Sequence, residues 1–146
     1  MEHVEFVYTV GMDEAEIERR LREARNGTLA LAEGGKAYAI PISHVYRDGR
    51  LYLRLTENGH SEKLSYVETT EEACFLVYGS ESPDDSWSVV VTGELGELVG
   101  EERARFDETT ITEAFEPIRV FDESIDDVDV RIYELEAHEV TGRRTT

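Results

Sequence analysis

The feature that most constrains this chain is a change of period at Thr28. Upstream, Ile17, Leu21 and Ala24 recur at the i, i+4, i+7 spacing of one helix face. Downstream, apolar residues fall into short alternating runs punctuated by glycine. Thr28-Leu29-Ala30-Leu31-Ala32 reads as a strand, and Gly34-Gly35 as a tight hairpin turn. A longer strand from Ala37 to Tyr46 follows, then a second turn at Asp48-Gly49, then Arg50-Leu51-Tyr52-Leu53-Arg54-Leu55. Two-residue loops join antiparallel neighbours, so these three strands form a meander.

The remaining segments fit around it. Asp13-Glu14-Ala15-Glu16 has the form of a capping box, with Asp13 as N-cap of a helix near 13–25 that Asn26-Gly27 is expected to end. Residues 2–10 alternate weakly, as an edge strand or an extended arm. A short helix is read between Asn58 and Thr70. Strands follow at Ala73–Gly79 and Trp87–Leu98, separated by a polar loop containing Pro83. One or two helical turns occupy 101–116 up to Pro117, and an Asp-rich loop precedes a last strand, Val130–Glu139. The tail Gly142–Thr146 is expected to be loose. Short antiparallel strands with a helix after the third point to a small closed or split β-barrel.

At 146 residues the chain fits one domain with a conventional core. No apolar run approaches the ~20 residues of a membrane span. The acidic start, Met1-Glu2-His3-Val4-Glu5, lacks the features of a secretory signal, so a cytoplasmic location is expected. The single cysteine, Cys74, permits no intrachain disulfide, and its apolar neighbours favour an inert thiol.

Acids number 33 against 15 bases, a net charge of −18, and Lys36 and Lys63 are the only lysines. Such a charge argues against non-specific binding to nucleic acid or anionic membranes. It fits high salt, where the Debye length shrinks to about 3 Å at 1 M and self-repulsion is tolerable. Lysine-poor, acid-rich surfaces resemble those of proteins from salt-loving archaea.

Three features carry chemical meaning. Pro41 interrupts the strand Ala39-Ile40-Pro41-Ile42-Ser43, which marks either a sheet edge or a strand whose freed backbone faces a ligand. In Thr56-Glu57-Asn58-Gly59-His60-Ser61-Glu62-Lys63 a strand ends and a helix begins with Ser61 as cap. Such a turn presents free N–H groups to a phosphate, and Lys63 adds a charge, with Arg54 upstream as a second partner. An ordinary capped surface helix is the alternative, but a lysine retained in so lysine-poor a chain favours a role. The strand Ser86-Trp87-Ser88-Val89-Val90-Val91-Thr92-Gly93 carries the single tryptophan, whose usual place is a core or an interface. His3, His44, His60 and His138 share no metal-ligand spacing, and no nucleophile elbow, P-loop or dinucleotide fingerprint is present.

Taken in order, these segments resemble the FMN-binding split-barrel superfamily typified by pyridoxamine 5′-phosphate oxidase, and within it the nitroimidazole-resistance-type flavoproteins. The likeness covers roughly residues 12–98 and, more loosely, the last strand. Gly-Thr-Leu-Ala-Leu, Ala-Ile-Pro-Ile-Ser-His-Val-Tyr, the Asp-Gly hairpin and Leu-Tyr-Leu fall in the family's order. Ser-Glu-Lys is similar to its Ser-x-Lys phosphate turn, and Ser-Val-Val-Val-Thr-Gly to its x-Val-x-x-x-Gly strand.

The resemblance implies a mainly β, six- to seven-stranded antiparallel split barrel with short flanking helices, spanning 1–146 as one FMN-binding domain. It implies that Pro41, Ile42 and Ser43 lie along the isoalloxazine ring through backbone groups. Ser61 and Lys63 hold the FMN phosphate, with Arg54 or Thr56 helping. Ser88 takes the place of a family glutamine that reaches the flavin from the partner subunit, so a homodimer with the cofactor at its interface is implied. Glu62 stands where the oxidase has a second basic residue, and the oxidase's C-terminal substrate-recognition segment is missing, which argues against vitamin B6 oxidation. The expected function is FMN-dependent oxidoreduction of a small molecule, with a non-enzymatic flavin- or haem-binding module as the alternative. His44 reads as an ordinary strand histidine, or as an acid–base group beside the ring-binding strand.

Overall fold

In the computed structural model the described residues are 9–57, 63–116 and 129–146. The elements run β1 (Thr9–Gly11), α1 (Glu14–Glu23), β2 (Asn26–Glu33), β3 (Lys36–Arg47), β4 (Arg50–Glu57), α2 (Lys63–Thr69), β5 (Ala73–Ser82), β6 (Asp85–Glu97), α3 (Gly100–Ala104), α4 (Glu108–Ala114) and β7 (Asp129–Thr145). The strands form one antiparallel sheet in the order β1-β7-β4-β3-β2-β5-β6, and β7 also pairs with β6. That second pairing closes six strands into a ring, with β1 attached to the far end of β7. The architecture is the split barrel expected from the sequence.

Both hairpin turns take the left-handed conformations their glycines allow. Gly34 and Gly35 have φ of 54° and 81°, and Asp48 and Gly49 have 54° and 74°. Positive φ at both central residues matches the right-handed twist of the strands they join. The alternation then sets the faces. Leu29, Leu31, Ile40, Ile42, Leu51, Leu53, Leu55, Phe75, Val77, Val89 and Val91 point inward and are buried. Each such aliphatic or aromatic side chain contributes roughly 1.5–3 kcal/mol on leaving water.

Helix α1 closes one end of the ring. Its N-cap Asp13 accepts a 2.9 Å bond from the Glu16 N–H, as the capping box requires. Leu21 is buried, and the Arg20 guanidinium lies 4.5 Å from the Trp87 ring centroid. A second apolar cluster, Leu98, Phe106, Phe115 and Ile132, lies outside the ring and packs α3 and α4 against Val45, Tyr52 and Val130.

Three boundaries differ from the sequence reading. Helix α1 stops at Glu23, and Asn26-Gly27 opens β2 instead of ending the helix. Gly27 serves a close approach: a Cβ there would stand 2.6 Å from the Leu76 carbonyl oxygen. The loop around Pro83 is shorter than expected, because β5 runs to Ser82 and β6 starts at Asp85, with a register shift near Ser80. The tail is not loose. Strand β7 continues to Thr145, paired with β6 and β1, and Arg143 donates to Thr9 Oγ1 at 2.8 Å. These residues are mostly exposed and polar, so backbone pairing holds them without any apolar alternation to reveal it.

Candidate flavin site

The outer face of β3 and β4 collects most of the residues singled out above. Because Leu51, Leu53 and Leu55 face inward, Tyr52, Arg54 and Thr56 face outward. Arg54 stands opposite Ser43 of β3. Lys63, first residue of α2, donates from Nζ to Thr56 Oγ1 at 3.2 Å. The fold therefore gathers Lys63, Thr56 and Arg54 at one end of β4. Ser61, together with His60 and Glu62, lies outside the described residues.

Helix α2 is held against the barrel next to this group. Tyr66 stacks on Tyr38 of β3 with ring centroids 4.7 Å apart and planes 11° from parallel. The Thr70 hydroxyl donates to the Ala32 carbonyl, and the Ala32 N–H donates to that hydroxyl, both at 3.1 Å. The position of Lys63 is thus set by the Ala32 backbone of β2 and the Tyr38 ring of β3 as well as by its own helix.

Strand β3 is not a sheet edge. It pairs with β2 from Asn26↔Ser43 to Glu33↔Lys36, whereas its ladder with β4 ends at Ser43↔Arg54. Pro41 therefore stands where β4 no longer opposes β3. The His44 N–H bonds the Arg25 carbonyl on the β2 side. Strand alternation then turns the Ile42 backbone groups toward β2 and the Pro41 carbonyl toward the side β4 has vacated. A proline there sacrifices no ladder bond. Ile42 points its side chain into the core, and buried Ser43 directs its hydroxyl at the Arg25 carbonyl, 3.5 Å away.

Ser88 is not brought to this group within one chain. It lies on β6, opposite Tyr78 and Arg143. Strands β2 and β5 intervene, so it is three strand spacings from β3, on the order of 14 Å along the sheet. On its β5 side the outer face is apolar, with Leu76 and Val90 paired and outward and Tyr78 67% exposed, while Thr141 and Arg143 of β7 flank it on the other side.

His44 sits on the opposite face of β3 from Pro41 and Ser43. It is 1% exposed, its Nε2 is 3.0 Å from the Leu21 carbonyl oxygen, and its ring meets Phe75 edge-on at 5.0 Å. Burial holds its pKa below the ordinary 6.5, against the opposing pull of the Leu21 bond. A carbonyl can only accept, so Nε2 carries the proton, and Nδ1 is buried without a partner. Burial likewise pushes the Cys74 thiol up, which keeps it protonated at neutral pH. Among the described residues no group of His, Cys, Asp or Glu could hold a metal ion.

A cavity of about 590 Å³ lies at the other end of the β3–β4 hairpin, between α1 and β7. Among the described residues, Glu14, Glu18, Glu134 and Glu136 line it against one cation, Arg50. That balance repels a phosphate, so this hollow is a poor fit for an anionic cofactor.

A closed antiparallel ring of six strands with short flanking helices, one of them following the third strand of the meander, defines a split barrel. The profile of the family described as pyridoxamine 5′-phosphate oxidase matches residues 13–144, and the chain belongs to that family. Solved structures share the fold. A FAD-binding protein of Mesorhizobium loti superposes with a TM-score of 0.72 at 18% identity, covering 97% of this chain and 99% of the other. A candidate 5-nitroimidazole antibiotic resistance protein of Bacteroides thetaiotaomicron gives 0.69 at 17% identity, over 99% and 95%. A FAD- and haem-binding protein of Mycobacterium smegmatis gives 0.68 at 15%, over 91% and 71%. No curated protein matches the chain.

Proposed function

We propose that this protein binds FMN by its phosphate at Lys63, Thr56 and Arg54, and acts as a flavin-dependent oxidoreductase on a small molecule. The observation that carries the reading is the 3.2 Å contact from Lys63 Nζ to Thr56 Oγ1, on the face that also carries Arg54. Two cations and a hydroxyl in one place, on a chain of net charge −18, suit a dianion better than any neutral ligand. Ser61 belongs to the same proposed phosphate group. Pro41 offers its carbonyl to the flavin ring at the open side of β3, with Ile42 and Ser43 as the flanking positions. When bound, the flavin supplies the electron transfer, and the protein orients it and excludes water. Family membership supports the flavin.

The proposal includes a homodimer. The apolar strip of Leu76, Val90 and Tyr78 beside Ser88 supports packing of a second copy there, which would bring the partner's β6 to the flavin edge. Nitro compounds, as for the nitroimidazole-resistance branch, are the proposed substrate class. Haem is the second reading, supported by the cofactor named for the Mycobacterium smegmatis neighbour.

The absorption spectrum of the purified protein separates a bound flavin from the Soret band of a haem. Titration with FMN and with riboflavin then tests the phosphate site. The phosphate is expected to tighten binding, and Lys63→Ala to weaken FMN by about tenfold or more while leaving riboflavin unaffected. Equal FMN affinity in Lys63→Ala and wild type sinks the assignment. Lys36→Ala, in the first hairpin, serves as the control.

A further inference from the structure

The end of the β3–β4 hairpin carries a second concave site, formed with α3. A hollow of about 220 Å³ lies among Arg47 at the end of β3, Arg50 at the start of β4 and Arg105 just past α3. The Arg47 guanidinium carbon stands 4.8 Å from the Phe106 ring centroid and 5.9 Å from that of Tyr52. Stacking of this kind fixes the guanidinium plane and leaves its N–H edge available to an acceptor.

Asp48 and Glu102 also line the hollow. Among the described residues, neither forms an ion pair with any of the three arginines, and Arg50 instead reaches Glu134 at 3.9 Å. Arg47 and Arg105 make no side-chain hydrogen bond or ion pair with the described residues. In a chain with 33 acids and 15 bases, an excess of carboxylate around any hollow is the expectation from composition alone. Here, among the described residues, three guanidinium groups line the hollow with two carboxylates, and two of the three make no ion pair.

We propose that this hollow binds an oxyanion, the carboxylate or phosphate of a small molecule, between Arg47 and Arg105. The rigid N–H fork of a guanidinium matches two oxygens of either group, and paired forks give both strength and direction. The site is distinct from the flavin phosphate position. Arg50 and Thr56 are six residues apart on one extended strand, on the order of 20 Å. Failure of the flavin reading therefore leaves this one untouched.

The test is titration of the full chain at constant ionic strength, with sodium chloride as the balancing salt. Inorganic phosphate is used in one arm and benzoate in the other, following heat and the Arg side-chain N–H resonances. Saturable binding of phosphate alone assigns a phosphate ligand, and of benzoate alone a carboxylate; either supports the site. Arg105→Gln is expected to weaken binding by about tenfold or more, because a charge-assisted pair is lost at an exposed residue. Glu102→Gln is expected to tighten it by removing a like charge. Arg19→Gln, on the outside of α1, should change nothing. The proposal is overturned if neither anion saturates, or if affinity is the same in wild type, Arg105→Gln and Glu102→Gln.

Discussion

Acidification should destabilise the fold, and burial of His44 is one reason. Its Nε2–H caps the Leu21 carbonyl in the last turn of α1, where carbonyls lack intrahelical partners. Its pKa is lowered by burial from 6.5. Above about 6.5 the imidazole is neutral in both folded and unfolded chains and the stability is fully present. As pH falls, the unfolded chain takes up a proton that the folded chain resists. Stability is then lost at up to about 1.4 kcal/mol per pH unit until the depressed folded value is passed. The many carboxylates titrate too, so the informative quantity is a difference between two proteins. His44→Phe keeps the ring and removes the titration, leaving the Leu21 carbonyl unsatisfied at a cost of about 1–3 kcal/mol. Urea unfolding followed by Trp87 fluorescence between about pH 5 and 8 should show the variant less stable at the alkaline end, with the gap closing toward acid. Parallel curves across that range would refute the reasoning.

Two further outcomes follow from the packing. In Gly93→Ala the new methyl would stand 1.9 Å from the Glu136 carbonyl oxygen, so β6 and β7 must separate where they close the ring. A loss of about 1–3 kcal/mol or more is expected in the urea midpoint, whereas Gly96→Ala, with nothing within 4 Å of the added carbon, should be close to neutral. Tyr66→Ala removes the ring stacked on Tyr38 and should weaken both stability, by about 1–3 kcal/mol, and FMN affinity, while Tyr66→Phe retains both. An unchanged FMN affinity in a folded Tyr66→Ala protein would show that α2 does not position Lys63.

The barrel was legible because its signals are local. Gly34-Gly35 and Asp48-Gly49 dictate the first two hairpins, and the Leu51, Leu53, Leu55 alternation dictates which face is buried. What escaped the sequence depends on partners distant in the chain. Gly93 looks like an ordinary strand glycine, yet the register jumps there from Thr92↔Glu139 to Gly93↔Ala137 and leaves His138 bulged. The continuation of β7 through Arg143 and Arg144 is invisible because exposed polar residues carry no period. The second apolar cluster escaped because Phe106, Phe115 and Ile132 meet only after α3 and α4 fold over β4. Among the candidate site residues, the pairing of Lys63 with Thr56 joins the end of a strand to the start of the next helix, seven positions on. The separation of Ser88 from them could not be read without the strand order. The arginines of the anion hollow carried no signal at all, since Arg47 and Arg105 are 58 positions apart.

Strand β7 pairs with β1, β4 and β6, yet it is the last strand in chain order. On the ribosome, β4 and β6 therefore emerge with bare edges and wait for a segment that has yet to be made. Edges of that kind recruit other nascent chains unless something shields them. The heavy surplus of negative charge keeps neighbouring chains apart during that interval, a benefit felt before the native state exists.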